Sequence, residues 1–271
     1  MIPTEPDLLR LMAVMAHPDD ESFGVGGTLA TYATHGIETY VLTATRGEHG
    51  RFFTNENRPS NAEVGRVREA ELRAAARVLG VREVEVLDYV DGKLDQADPN
   101  EAVSRIVAQL RRWRPQVVIT FDPFGAYGHP DHVAISQLTT AAVCAANCAA
   151  LPGEEESHRV SKLYYFAMTA RHWASHQRSF KRLTSTVDGV ERQAQAWPEW
   201  AVSAEIDTHR QWERVKRAVE CHRSQLVQYA RLDELTQEQQ EVLWGSATFY
   251  RVFSHANGGR AREVDLFAGL R

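Results

Sequence analysis

The strongest constraint on the fold of this chain is a regular alternation between short apolar segments and longer helix-like segments. It runs through the first two thirds of the sequence, and each apolar segment has the length and composition of a buried β-strand. Such strand–helix repeats predict a mainly parallel sheet with helices on both faces. The predicted strands are Leu11–Ala16, Glu38–Ala44, Val84–Leu87, Val117–Phe121 and Lys162–Met168. The predicted helices are Thr28–His35, Asn61–Leu79, Glu101–Trp113 and His132–Ala149.

The pattern weakens after Thr169, where the last third of the chain begins. The segment Arg171–Trp200 is polar and contains three tryptophans, which indicates an irregular or partly helical insertion, whereas Thr208–Val227 has the pattern of a long helix. No internal repeat or low-complexity linker divides the chain. We therefore expect a single α/β, Rossmann-like domain over residues 1–271, with a core at 9–170 and a C-terminal elaboration at 171–271.

Two short segments that pair histidine with aspartate follow two of the predicted strands. The first contains His17, Asp19 and Asp20, and the second, Gly128-His129-Pro130-Asp131-His132, follows Val117–Phe121. Ligand-binding side chains just past the carboxyl ends of strands are where an open α/β sheet places its active site. Histidine nitrogen and aspartate oxygen together suit a catalytic divalent metal, zinc first, so the sequence predicts a metal-dependent enzyme.

Composition excludes several other classes of protein. The formal net charge of −5 does not favour nucleic acid as a partner. The three cysteines include no Cys-x-x-Cys pair, which fits a reducing compartment. The N-terminal segment Met1–Asp7 carries acids rather than the basic region of a signal peptide, and no apolar run has the length of a membrane span. We expect a cytoplasmic protein that does not bind membranes.

The motifs resemble those of the LmbE/PIG-L family of zinc-dependent deacetylases, which act on N-acetylglucosamine conjugates. The resemblance rests first on Ala-His-Pro-Asp-Asp-Glu at 16–21 and His-Pro-Asp-His at 129–132. Supporting matches are Thr-Arg-Gly-Glu at 45–48, Gly65-x-x-Arg68-x-x-Glu71 and Asp91-Gly92. The similarity covers residues 9–170, with a weaker echo at His222-x-Ser224-Gln225. Glu21 and Glu48 lie near the predicted site and are interpreted as residues that hold loops.

The resemblance implies a role for each candidate residue. It implies that zinc, or another divalent metal such as Fe²⁺, is bound by His17, Asp20 and His132, and that Asp19 is the general base. It further implies that His129 and Tyr127 stand by the reacting carbonyl. Asp131 is interpreted as the orienter of a neighbouring histidine, with a helix N-cap as the alternative. The resemblance also implies that Arg68 and Asp91 bind sugar hydroxyls, and the nearby Arg66 and Asp88 are the alternatives.

The leading function predicted from these features is removal of an N-acetyl group from a glucosamine-containing small molecule. An amidase of thiol-sugar conjugates is an alternative within the family, and a non-catalytic zinc-binding module is one from another class. A nucleotide-binding enzyme is disfavoured because the glycines at 24–27 lack G-x-G-x-x-G spacing. The expected partner is an amino-sugar conjugate whose aglycone the sequence does not identify, and a homo-oligomer is left open.

Overall fold

The structure is a computed structural model that describes residues 8–149, 155–179, 182–227, 232 and 234–271. The N-terminal segment Met1–Asp7, used above in the expectation of no signal peptide, lies outside these residues. The strands are β1 (Arg10–Met15), β2 (Glu38–Thr45), β3 (Glu83–Tyr89), β4 (Val117–Phe121), β5 (Lys162–Phe166), β6 (Thr184–Val187), β7 (Val190–Gln193), β8 (Ala204–Asp207) and β9 (Ser246–Ser254). The helices are α1 (Asp20–Gly24), α2 (Gly26–Thr34), α3 (Asn61–Leu79), α4 (Pro99–Trp113), α5 (Gly125–Gly128), α6 (Pro130–Ala146), α7 (Ala170–Ser179), α8 (Trp212–Cys221) and α9 (Gln237–Trp244).

The main sheet confirms the predicted Rossmann-like α/β fold. Within the described residues it has seven strands in the order β3-β2-β1-β4-β5-β9-β8, and the first five are parallel. Strand β1 lies between β2 and β4, and its residues from Leu11 to Met15 are apolar and no more than 1% exposed, as expected for an interior strand covered on both faces. The chain runs from β1 to β2 and β3 on one side and from β4 to β5 on the other. The strand order therefore reverses between β1 and β4, where such sheets bind ligands at their carboxyl ends.

The C-terminal elaboration extends this sheet, which the sequence analysis did not predict. Strand β9 pairs antiparallel with β5, and β8 pairs antiparallel with β9. The signal for β9 was present in the sequence, since residues 247–253 are rich in aromatic and β-branched side chains. One hydrophobic cluster joins the β1–β4 region to Phe249, Leu266 and Phe267 near the end of the chain. No helix in the described ranges combines the length and apolar character that a membrane crossing requires.

The insertion and the helix after it differ in part from their predicted forms. The segment Arg171–Trp200 is partly helical, as expected, but it also contains the hairpin β6–β7. The turn of this hairpin is Asp188-Gly189, with φ of 51° and 77°, and Asp-Gly between two strands is a strong hairpin signal. The predicted helix Thr208–Val227 is wrong at its end, because α8 stops at Cys221 and His222 turns into the protein interior.

A buried ion pair fastens the C-terminal tail to β5. The Lys162 ammonium is fully buried and donates to Glu263 Oε1 over 2.7 Å, and the Tyr164 hydroxyl donates to Glu263 Oε2 over 2.6 Å. Asn257 and Arg251 also contact Glu263 Oε1. Burial acts to raise the pKa of Glu263, but the hydrogen bonds from Lys162 and Tyr164 outweigh it and hold the pKa below 4.5.

Glu263→Gln is expected to lower the free energy of unfolding by about 3–5 kcal/mol, because it leaves the Lys162 ammonium buried without its counter-charge. Because the pKa of Glu263 is lower in the folded than in the unfolded protein, its ionised form stabilises the fold above the ordinary carboxyl pKa. This stabilisation is lost as the pH falls through the folded-state pKa. Urea unfolding at pH 7 and at pH 4 measures both effects. Glu205→Gln, which removes a surface partner of Arg171 and Arg262, is the control and should cost no more than about 1 kcal/mol. Equal losses in the two variants would contradict this account.

Candidate active site

The two histidine–aspartate segments meet at the carboxyl edge of the sheet, where the strand order reverses. His17 lies two residues after the end of β1, and Asp20 is the first residue of α1. His129 is the N-cap residue of α6, and His132 lies in the first turn of that helix beyond β4. The ring of His132 stacks on Phe121, with ring centroids 3.9 Å apart. The parallel pairing of β1 with β4 therefore brings together residues more than a hundred positions apart in the chain.

Three side chains form a compact triangle of potential ligand atoms. His17 Nδ1 lies 3.2 Å from His132 Nε2. Asp20 places Oδ2 3.5 Å from His17 Nδ1 and its other oxygen, Oδ1, 3.5 Å from His132 Nε2. Burial acts to raise the pKa of Asp20, but its electrostatic interactions with the imidazoles of His132 and His17 and its hydrogen bonds to His17 outweigh burial and hold the pKa well below its ordinary value. Burial lowers the pKa of His132 to about 3, so its ring is neutral and able to bind a cation through nitrogen.

Two further carboxylates face the other nitrogen of His17. His17 Nε2 lies 3.0 Å from Asp131 Oδ2 and 3.2 Å from Asp91 Oδ1. Asp131 is fully buried and accepts the backbone N–H groups of Gly92 and Leu94, and Asp91 accepts that of His49. These carboxylates are thus already held by hydrogen bonds. They can orient the His17 ring through Nε2 and leave Nδ1 available to bind a metal. Although burial acts against protonation, these acids and Asp20 keep the pKa of His17 well above 6.5, so the cluster attracts positive charge.

The residues present fit a divalent metal. Zinc–ligand distances of 2.0–2.2 Å in a tetrahedral site place ligand atoms about 3.3–3.6 Å apart, close to the edges of the triangle. Two sets of three have one ligand atom per residue within 4.8 Å of one another in the described residues, and neither includes Asp20: His17, His129 and His132, or His17, Asp91 and Asp131. Asp20 suits the third ligand position better than His129 because it carries a negative charge and places one oxygen 3.5 Å from His17 Nδ1 and the other 3.5 Å from His132 Nε2. The structure thus contains a candidate His/Asp metal site.

Asp19 lies beside the triangle and makes different contacts. Its Oδ2 accepts from Arg68 Nη2 over 3.1 Å, while the same guanidinium also donates to the carbonyls of Pro18 and Gly47. Burial raises the pKa of Asp19 to about 6, although the charge of Arg68 acts in the opposite direction. A carboxylate with a pKa near neutrality, next to a metal site and outside its ligand triangle, can exchange protons at working pH.

His129 and Tyr127 line the cavity that opens above the triangle. His129 Nδ1 accepts the backbone N–H of Asp131 over 3.2 Å, which leaves Nε2 as the protonated nitrogen of the neutral ring. Burial, and the neighbouring His17, lower the pKa of His129. The Tyr127 ring lies 5.2 Å from that of His132, and burial raises the pKa of the Tyr127 hydroxyl. Both side chains therefore offer hydrogen-bond donors to a group bound in the cavity.

The loop that carries Tyr127 is held by residues that the sequence analysis did not identify. Ala126 has an unusual backbone conformation, with φ of 61° and ψ of −63°. Asp122 accepts the Ala126 N–H over 2.8 Å and the indole N–H of Trp197 over 2.6 Å, and Gln195 N–H donates to the Ala126 carbonyl. The C-terminal elaboration is thereby connected directly to the loop of Tyr127. No local sequence pattern marks Asp122 or Trp197 for this contact.

A polar cavity of 450 Å³ opens above these residues. Arg68 and Asp91 line it, whereas the alternatives Arg66 and Asp88 lie elsewhere, in pairs with Glu63 and Arg46. The insertion contributes one wall; its residues at the cavity are His176, Arg182, Leu183 and Thr184. An apolar recess of 60 Å³ adjoins the cavity beside Tyr127 and His132, and is lined by Phe121, Phe166, Met168 and Trp173 among others.

The fold and the site together define a class: α/β proteins with a candidate metal centre and an adjacent carboxylate at the carboxyl edge of a parallel sheet. Residues 12–143 match the family described as PIG-L, GlcNAc-PI de-N-acetylase. The chain is 33% identical to a 1D-myo-inositol 2-acetamido-2-deoxy-alpha-D-glucopyranoside deacetylase of Rhodococcus jostii, over 96% of this chain and 98% of the relative. The chain therefore belongs to the PIG-L/LmbE family of N-deacetylases, which are amide hydrolases.

Solved structures of low sequence identity share the fold. A 4-carboxy-2-hydroxymuconate hydratase from Pseudomonas putida has a TM-score of 0.69 at 20% identity, covering 93% of this chain and all of its own. The N,N'-diacetylchitobiose deacetylase of Pyrococcus horikoshii has a TM-score of 0.66 at 21% identity, covering 91% of this chain and 84% of its own. Because one of these proteins is a hydratase, the fold alone does not determine the reaction.

Proposed function

We propose that this protein is a zinc-dependent deacetylase that removes the acetyl group from an N-acetylglucosamine-containing small molecule. In this proposal His17, Asp20 and His132 bind the metal, and Asp19 is the general base. The observation that carries the proposal is the triangle of these three side chains, whose nearest N···N and N···O distances are 3.2–3.5 Å, next to a buried carboxylate that is not part of it. A purely structural zinc site has four protein ligands and no need of a spare carboxylate, which disfavours the non-catalytic alternative.

Asp19 performs the proton transfers in the proposed reaction. When bound, the metal supplies Lewis acidity that acidifies a water molecule and polarises the amide carbonyl. Asp19 accepts a proton from the water molecule while the water oxygen attacks the carbonyl carbon. Asp19 then donates that proton to the amide nitrogen as the C–N bond breaks. The products are acetate and a free amine. The pKa of about 6 suits both steps, because Asp19 is mostly ionised at neutral pH and still binds a proton readily.

His129 and Tyr127 stabilise the negative charge that develops on the carbonyl oxygen. Both are donors that burial keeps in their neutral, protonated forms, His129 through Nε2–H and Tyr127 through its hydroxyl. Donors that are fixed before the reaction cost no reorganisation when the charge forms. Asp131 contributes by orienting His17, and its backbone N–H fixes the tautomer of His129.

His129→Ala is expected to lower kcat by about 100–1,000-fold and to leave KM within a few-fold of wild type, because its partner is the transition-state oxyanion. Steady-state kinetics on protein with verified metal content measures the effects on kcat and on KM separately. A rise in KM at unchanged kcat would assign His129 to substrate binding instead.

The two parts of the cavity suit the two parts of an N-acetylated sugar. Arg68 and Asp91 lie on the polar side, where a guanidinium and a carboxylate can bind sugar hydroxyls. The apolar recess beside Tyr127 and His132 has room for an acetyl methyl group and offers it hydrophobic contact. Arg68 also donates to Asp19, so Arg68→Ala should affect kcat as well as KM.

The inositol conjugate of N-acetylglucosamine is the first substrate to test, because the name of the Rhodococcus jostii relative specifies it and the similarity spans nearly both chains. The test is amine and acetate release by purified, zinc-reconstituted protein from this conjugate, from free N-acetylglucosamine and from N,N'-diacetylchitobiose. A thiol-sugar conjugate in the same panel tests the amidase alternative. Preferred hydrolysis of the inositol conjugate supports the proposal, and hydrolysis of the thiol-sugar conjugate alone would replace it with the amidase function.

A further inference from the structure

A fully buried polar cluster lies beneath Asp19 and has no part in the reaction described above. Glu21 and His222 are both 0% exposed. Glu21 Oε1 accepts from Ser22 Oγ over 2.5 Å and lies 2.8 Å from His222 Nε2. These two residues are 201 positions apart in the sequence. Burying a carboxylate costs free energy unless the group is fully hydrogen-bonded, so we expect both oxygens of Glu21 to have partners.

The other oxygen of Glu21 holds the backbone of the proposed base. Glu21 Oε2 accepts the N–H of Asp19 over 3.0 Å. Asp19 has φ of 116° and ψ of −29°, a region that residues with a side chain rarely adopt. Such a conformation costs about 1–3 kcal/mol and persists only where the surroundings over-determine it. Asp19 is in fact held twice, by Glu21 at its backbone and by Arg68 at its carboxylate.

The segment that supplies His222 is fastened to the core at separate points. Ser224 donates its N–H and its hydroxyl to the two carboxylate oxygens of Glu71, over 2.8 and 2.7 Å. Gln225 donates to the carbonyl of Arg51 over 2.7 Å. These are the three named residues of the His222-x-Ser224-Gln225 motif. Of the contacts described for these residues, the one between His222 and Glu21 connects to Asp19, because Glu21 also accepts the Asp19 N–H.

We propose that Glu21 and His222 are a positioning pair for Asp19, which holds the backbone of the base at positive φ so that its carboxylate stays beside the ligand triangle. The inference rests on the proposed function in taking Asp19 as the base. It gives His222, in the C-terminal His-x-Ser-Gln segment, a positioning role that it exerts through Glu21. His222 secures the carboxylate of Glu21, and Glu21 secures Asp19.

The test compares two substitutions of Glu21, one that removes the oxygen acceptor for the Asp19 N–H and one that keeps such an acceptor. Glu21→Met keeps the shape but removes the acceptor for the Asp19 N–H, and should lower kcat by about 10–100-fold at unchanged KM and zinc content. Glu21→Gln keeps a carbonyl acceptor and should restore kcat to within about fivefold of wild type. Glu71→Met is the matched control, because it removes the anchor of Ser224 and leaves the contact of His222 with Glu21 in place. It should lower the melting temperature with kcat within about threefold of wild type.

A double-mutant cycle separates positioning from a general structural defect. In an Asp19→Asn background, Glu21→Met should cause no further loss of kcat, because its effect passes through the base that is already removed. Multiplicative losses, or equal kcat losses in Glu21→Met and Glu71→Met, would overturn the proposal.

Crystal structures of Glu21→Met and His222→Leu provide a measurement that needs no activity. Loss of the positive φ at Asp19 in either variant supports the pair, and an unchanged φ in both would overturn it. If wild-type protein hydrolyses none of the substrates, the proposed function fails, and the crystallographic result still decides whether Glu21 and His222 position Asp19.

Discussion

Asp19→Asn is expected to reduce amide hydrolysis by about 100–10,000-fold while the protein keeps its metal. The amide side chain has nearly the same shape and can still accept from Arg68, but it cannot accept a proton from water. Asp19 lies outside the triangle of His17, Asp20 and His132, so its replacement removes no ligand.

Amine release and zinc content, measured on the same preparation, check this expectation. Asp88→Asn, which removes an exposed partner of Arg46, is the control and should leave both quantities unchanged. Near-normal turnover of Asp19→Asn with full metal content would show that another group is the base.

The second large effect is expected at the metal ligands. His17→Ala, Asp20→Ala and His132→Ala should each lose most of the bound zinc, because a site with three protein ligands does not retain the ion firmly with two. His129→Ala should keep the metal, since its Nδ1 already accepts the backbone N–H of Asp131.

Calorimetric titration of the apo-proteins with Zn²⁺ measures this difference without any substrate. The expected pattern is one strong site in wild type and in His129→Ala, and none in the other three. Strong binding by Asp20→Ala together with loss in His129→Ala would instead select the set of His17, His129 and His132.

The central sheet could be predicted from sequence because each of its first five strands carries its own signal. The segment at 11–15 is continuously apolar, that at 117–121 is apolar except for Thr120, and both are buried, which fits strands covered on both faces. The site followed from the same pattern, since residues after β1 and β4 must meet where the strand order reverses. His17, Asp20 and His132 therefore come together as the spacing of their motifs indicates.

The remaining features depend on contacts between distant segments, which local patterns do not encode. The end of α8 is determined by the contact of His222 with Glu21, 201 residues away. The Tyr127 loop depends on the bond between Asp122 and Trp197, 75 residues apart. The hydrogen bond from Arg68 to Asp19 likewise connects α3 to the loop between β1 and α1. The hairpin at Asp188-Gly189 and strand β9 differ from these, because their signals were in the sequence.

The measurement that tests the central claim most directly is a metal titration of activity. Chelator-treated protein is mixed with increasing Zn²⁺, and amine release from the N-acetylglucosamine–inositol conjugate is followed at each addition. The account predicts negligible activity without metal and a linear rise that ends at one Zn²⁺ per chain. Hydrolysis that persists after complete removal of metal, or that rises equally in His132→Ala, would contradict it.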